Sequence, residues 1–134
     1  MSDKRTFIDS NIILYLFTNN DGRKKIVTSL LNSDYTISTQ VVNENVNVCL
    51  KKLKLGKEEA YSHGENLLNT FRVVNIFPST IVAAFDLSKK YGFSFWDSLI
   101  VSAALENDCE TLLTEDMHDG LVVEKKLKIS NPFK

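Results

Sequence analysis

The chain has 134 residues, 43% of them hydrophobic and 25% charged, and a formal net charge of −1. Those values describe a single globular domain over residues 1–134, with one core and no extended disordered tract. The apolar run Ile12 to Phe17 is too short to cross a bilayer, and Asp9, Ser10 and Asn11 interrupt the stretch a signal peptide needs, so the expected location is the cytoplasm, away from membranes.

In chain order, Arg5 to Ile8 reads as a short buried strand, and Ser10 to Phe17 carries apolar residues at helical spacing. A second helix is predicted from Arg23 to Asn32, then a strand from Tyr35 to Ser38. Thr39 is placed to cap the helix Gln40 to Leu53, and Gly56 to end it. A polar-faced helix over Lys57 to Thr70 leads to a strand at Arg72 to Ile76. Pro78-Ser79 marks a break before the helix Thr80 to Tyr91, which Gly92 closes. Ser94-Phe95-Trp96-Asp97 opens a helix running to about Asn107, followed by a strand at Thr111 to Thr114. A polar loop with Gly120 and short apolar pieces at Leu121 to Val123 and Leu127 to Ile129 complete the chain. Strands alternating with helices through short connections predict a three-layer α/β/α sandwich with a mostly parallel sheet.

Four acidic residues, Asp9, Glu44, Asp97 and Asp116, fall where a strand should run out or a helix begin. If their strands are parallel, Asp9, Glu44 and Asp116 share the carboxyl edge of one sheet, where open α/β sheets place ligands, and the start of the Asp97 helix can face the same edge. Carboxylates gathered in one place repel, so such a cluster points to a bound cation. Each also has a plainer reading. Asp9 can cap the helix that begins at Ser10, and Asp97 can pair with Ser94 in a capping box. Glu44 alone is a solvated helix residue, and Asp116 alone is loop decoration between Glu115 and Asp119. The two cysteines, Cys49 and Cys109, lie in or beside apolar helical patterns and read as small hydrophobes, not as a redox or zinc pair.

The order and spacing of these acids resemble the PIN-domain nucleases, in particular the VapC-like toxins of toxin–antitoxin systems, over nearly the whole chain. Phe7-Ile8-Asp9-Ser10-Asn11-Ile12-Ile13 is similar to the opening motif of that family, with Ser10 where threonine is commoner. Ser38-Thr39-Gln40-Val41-Val42-Asn43-Glu44 resembles the segment that brings the family's glutamate. Phe95-Trp96-Asp97-Ser98 resembles its third acidic motif, and Leu112-Leu113-Thr114-Glu115-Asp116-Met117 its fourth. The ending Ile129-Ser130-Asn131-Pro132-Phe133 is similar to that of one branch, in which a histidine often follows the last aspartate. Here His118 and Asp119 occupy that loop, so Asp119 is a possible additional ligand.

The resemblance implies a PIN-like fold and an endoribonuclease in which Asp9, Glu44, Asp97 and Asp116 hold one or two Mg2+ or Mn2+ ions. Asp9 and Asp97 are the expected innermost ligands. Asp116 binds directly or through water, and Glu44 completes a second site or orients the attacking water. Ser10, Asn11 and Thr114 are expected to support them. An all-oxygen ligand set suits such hard cations, whereas zinc prefers histidine or cysteine and only His63 and His118 are available. The resemblance also implies an RNA substrate, a homodimer and a protein antitoxin as partners. Arg23, Lys24, Lys25, Lys51, Lys52, Lys54 and Lys57 are candidate phosphate contacts, although lysine-rich helix faces are commonly just solvated. Phe95 and Trp96 are candidates for base stacking but read better as core. Two other classes compete: a haloacid-dehalogenase-like phosphatase, which needs a second aspartate where Asn11 stands, and an inactive PIN-like module that only docks RNA or protein.

Overall fold

A computed structural model describes residues 5–134. Strand β1 (Arg5–Ile8) leads into the short helix α1 (Ser10–Ile13), which tightens into a 3-10 turn over Leu14–Phe17. Helix α2 (Asp21–Ser29), strand β2 (Tyr35–Ser38), helices α3 (Thr39–Lys51) and α4 (Lys57–Thr70) and strand β3 (Arg72–Val74) follow. Helices α5 (Pro78–Tyr91) and α6 (Phe95–Glu106) then precede β4 (Cys109–Leu113), β5 (Val122–Val123) and β6 (Leu127–Ser130).

The strands form one sheet in the order β3-β2-β1-β4-β6-β5. All pairs are parallel except β5–β6. The chain steps outward from β1 to β2 to β3, then crosses back to lay β4 on the other side of β1. Right-handed crossovers in opposite directions put α1 to α4 on one face and α5 and α6 on the other. Between them lies a core built around Phe7, Ile8, Ile12, Ile37, Val41, Ile100, Val101 and Leu112. The expected α/β/α sandwich is therefore present. Its order reverses between β1 and β4, and that reversal opens a crevice at their carboxyl ends.

Several local expectations are corrected. Ser38, not Thr39, caps α3, its hydroxyl accepting from the Val41 amide at 3.3 Å. Gly56 does not end α3. The helix stops at Lys51, Lys54 takes a left-handed φ of 54°, and Gly56 stands with extended backbone at the N-cap of α4. Pro78 is the first residue of α5 and not a break before it, because the first turn of a helix has no use for the missing N–H. The Phe77 amide donates to Thr80 Oγ1 at 3.0 Å, closing that turn. Strand β4 begins at Cys109 and stops one residue short of Thr114, whose side chain is committed elsewhere. Both cysteines are buried as free thiols.

Gly64 is where α4 meets α3. A Cβ built there lies 2.8 Å from Val46 Cγ2, a distance real Cβ atoms do not tolerate. Val46 is β-branched and has little rotamer freedom with which to yield. Gly64→Ala is accordingly expected to destabilise the protein by about 1–3 kcal/mol, despite the better helix propensity of alanine, through overpacking of this contact. The midpoint of urea unfolding at unchanged slope measures it.

Candidate active site

Asp9 ends β1 at the point where the strand order reverses. Its backbone amide donates to Leu113 O at 3.0 Å, extending the β1–β4 ladder by one rung, and its side chain is then trapped beneath the start of α1. Only 5% of the residue is exposed. Oδ1 accepts from the Ser10 amide at 2.7 Å, and Oδ2 accepts from the Thr114 hydroxyl at 2.9 Å. Thr114 is itself fully buried. Its Oγ1 also accepts from Asn11 Nδ2 at 3.2 Å and from the Asp116 amide at 3.3 Å. On the other side, the Ser10 hydroxyl donates to Glu44 Oε1 at 3.0 Å and lies 3.4 Å from Asp9 Oδ1. A continuous polar chain thus runs from the loop after β4, through Asp9, to the second turn of α3. The supporting residues Ser10, Asn11 and Thr114 all touch this chain.

Asp97 arrives from the opposite layer. It lies in the first turn of α6, its amide donating to the Ser94 hydroxyl at 3.1 Å, and Gln40 Nε2 ties α3 to that turn by donating to Trp96 O at 3.2 Å. Sequence reasoning did not single out Gln40. Its position one turn before Glu44 on the same helix is the signal that could have found it.

The electrostatics show how closely the acids are gathered. Burial pushes the Asp9 carboxyl from 3.8 up to about 7, with the hydrogen bonds from Thr114 and Ser10 opposing and the charges of Glu44 and Asp97 adding to the rise. Burial also raises Glu44, opposed by Ser10 and Gln40 and reinforced by Asp97. Asp97 is raised by burial, lowered by Ser94 and raised again by Asp116. The ion pairs among the described residues are Arg23–Glu115, Lys90–Glu124 and Lys126–Asp108, so none of the four acids has a basic partner. They are neighbours in electrostatic range and not a closed cage: among the described residues, no three His, Cys, Asp or Glu groups stand close enough to enclose an ion as placed. An all-oxygen donor set with uncompensated negative charge fits a hard divalent cation.

Other candidates stand apart from this cluster. Asp119 Oδ1 accepts from the Asn131 amide at 2.8 Å, pinning the C-terminal turn, and His118 is exposed. Lys24, Lys25, Lys51, Lys52, Lys54 and Lys57 are exposed, as solvated helix faces are. Trp96, expected in the core, is 62% exposed. It lies in the first turn of α6, edge-on to Phe95, which stacks on Phe85 at 5.7 Å.

The sequence profile of the PIN domain matches residues 6–118. The chain belongs to the PIN domain family. Among solved structures, this PIN domain is similar to a toxin–antitoxin complex from Klebsiella pneumoniae, with 22% identity, 95% of this chain and 97% of the other covered, and a TM-score of 0.70. DNA-bound VapBC from Salmonella typhimurium shares 14% identity over 96% and 98% of the two chains at a TM-score of 0.72. Mycobacterium tuberculosis VapC20, described as a Sarcin-Ricin loop cleaving toxin, shares 14% identity over 83% and 89% at 0.66. No curated protein matches the chain. At these identities the structures share its fold.

The Asp9 shift makes the metal-free PIN domain sensitive to pH. The folded chain holds a proton on Asp9 up to about pH 7, whereas the unfolded chain releases it near 3.8. The stability this proton contributes is complete below the unfolded value and is lost as pH rises through the folded one, by about 4 kcal/mol in all. In EDTA, thermal melts are expected to fall between about pH 4 and pH 7, and Asp9→Asn to flatten that fall.

Proposed function

We propose that this PIN domain is a divalent-metal-dependent endoribonuclease that hydrolyses RNA to 5′-phosphate and 3′-hydroxyl ends, and that it is the toxin of a cytoplasmic toxin–antitoxin pair. The observation that carries the reading is that Asp9, Glu44, Asp97 and Asp116, from separate elements, are linked in electrostatic range through Asp97, with no ion pair to balance them among the described residues. A bound Mg2+ or Mn2+ ion supplies Lewis-acid chemistry, polarising the scissile phosphate and lowering the pKa of the attacking water.

The residues have distinct parts. Asp9 and Asp97 are the innermost ligands. Thr114 and the Ser10 amide orient the Asp9 carboxylate, each taking one lone pair of a different oxygen. Asp116 binds directly or through water. Glu44, steered by the Ser10 hydroxyl, completes a second site or orients the attacking water. Attack in line by water makes no use of the ribose 2′-hydroxyl, so preference for RNA comes from contacts outside the centre. The phosphatase alternative is disfavoured at Asn11, whose amide is bound to Thr114 and which has no acidic proton to give.

The antitoxin and homodimer belong to the same proposal. The Klebsiella structure is a toxin–antitoxin complex, and the Salmonella structure is VapBC on DNA. Phe77, Val82, Phe85 and Trp96, on or beside α5 and α6, are exposed and offer a dimer apolar surface to bury.

Cleavage of a mixed-sequence RNA is expected with Mg2+ or Mn2+ and not with EDTA. Asp9→Asn and Asp97→Asn should each lower it by roughly 100-fold or more. Gel analysis before and after phosphatase treatment reads the 5′ ends. Cleavage that survives EDTA, or an unimpaired Asp9→Asn variant, would refute the reading.

A further inference from the structure

Arg23 differs from the lysines beside it. Its Nη1 donates to Glu115 Oε2 at 2.9 Å and to the Tyr15 hydroxyl at 2.5 Å, and that hydroxyl donates to Glu115 Oε1 at 2.6 Å. The guanidinium also lies over the Phe133 ring at 4.7 Å and the Tyr15 ring at 5.2 Å, and the two rings meet edge to face at 5.0 Å. Residues from the 3-10 turn and α2 therefore converge on one carboxylate, with the Phe133 ring of the C-terminal segment packed against both. It belongs to the residue between Thr114 and Asp116.

That position gives the network a consequence at the acidic cluster. Thr114 points inward to Asp9, and Glu115 points the other way to Tyr15 and Arg23, so the loop after β4 is gripped from both sides. Among the described residues, the Asp116 side chain has no hydrogen-bond partner, and its amide makes one long bond to Thr114 Oγ1. Where the Asp116 carboxylate stands is thus set by the backbone, and Glu115 is the handle on that backbone.

We propose that Arg23 is a positioning residue for Asp116, acting through Glu115 to fix the loop that carries the fourth carboxylate. Its Nη1 and the guanidinium face over Phe133 are committed to this network, which sets it apart from the exposed lysines beside it. The inference rests on the reading of the acids as a metal centre.

Mn2+ binding to the full chain, followed by electron paramagnetic resonance, tests both levels. Arg23→Gln is expected to weaken Mn2+ affinity about tenfold, and Arg23→Lys to recover part of the loss. Glu115→Gln, which keeps the side-chain volume, should act in the same direction as Arg23→Gln and serves if that variant does not fold. In an Asp116→Ala background, Arg23→Gln should have no further effect on affinity, whereas a merely structural role would lower it by the same factor with or without Asp116. Wild-type protein that binds no Mn2+ would overturn the metal centre itself. Wild-type binding with Arg23→Gln within about twofold of it would overturn the clamp alone. So would a loss of affinity for a mixed-sequence single-stranded RNA, measured in EDTA, in a variant whose Mn2+ affinity is intact.

Discussion

The structure turns on one buried carboxylate. Asp9 sits where apolar neighbours Phe7, Ile8, Ile12 and Ile13 exclude water, and a charge placed there is stable only if something compensates it. Two hydrogen bonds, from the Ser10 amide and the Thr114 hydroxyl, supply part of that compensation. The remaining deficit is visible as a carboxyl that holds its proton to about pH 7. A divalent cation, as proposed, would remove the deficit, so folding and the proposed chemistry draw on the same unfavourable charge.

The sheet order makes this position possible. Reversal between β1 and β4 leaves their carboxyl ends uncovered by any crossover, and the parallel register then puts Asp9 beside Thr114 across that opening. The layer made of α1 to α4 brings Glu44, and the layer made of α5 and α6 brings Asp97. The Gln40 bond to Trp96 O joins the two layers at the cluster and ties the start of the Glu44 helix to the first turn of the Asp97 helix.

What the sequence revealed follows from which forces act locally. Strands β1 and β2 and helix α4 were legible to the residue, because short β-branched or apolar runs and a long polar-faced periodicity each have a single reading. The tightening of Leu14–Phe17 into a 3-10 turn was not legible, since both helix types accept the same apolar pattern and tertiary packing decides between them. Gly56 misled because a glycine two or three residues past a helix commonly ends it, and here a lysine took the left-handed φ instead. Asp9, Glu44, Asp97 and Asp116 could be named from sequence, yet the bonds that orient them could not. Thr114 reaches Asp9 across 105 positions of chain, and Glu115 meets Arg23 across 92.

The capping and metal-ligand readings of Asp9 are in fact compatible. A carboxylate offers about four lone-pair directions; the two short bonds take one on each oxygen, and the Ser10 hydroxyl makes a longer approach of 3.4 Å to Oδ1. Helix α1 has only four residues, too few to be stable by propensity, so a capping bond to its first amide contributes to its formation as well as to the orientation of the acid. The same bond, with that from Thr114, restrains the carboxylate rotation about χ2. An acid that had to be free to bind a cation would lose rotational entropy on doing so. One already held by a helix start and a buried threonine has lost it on folding, which makes the structural role the means by which the proposed ligand is preorganised.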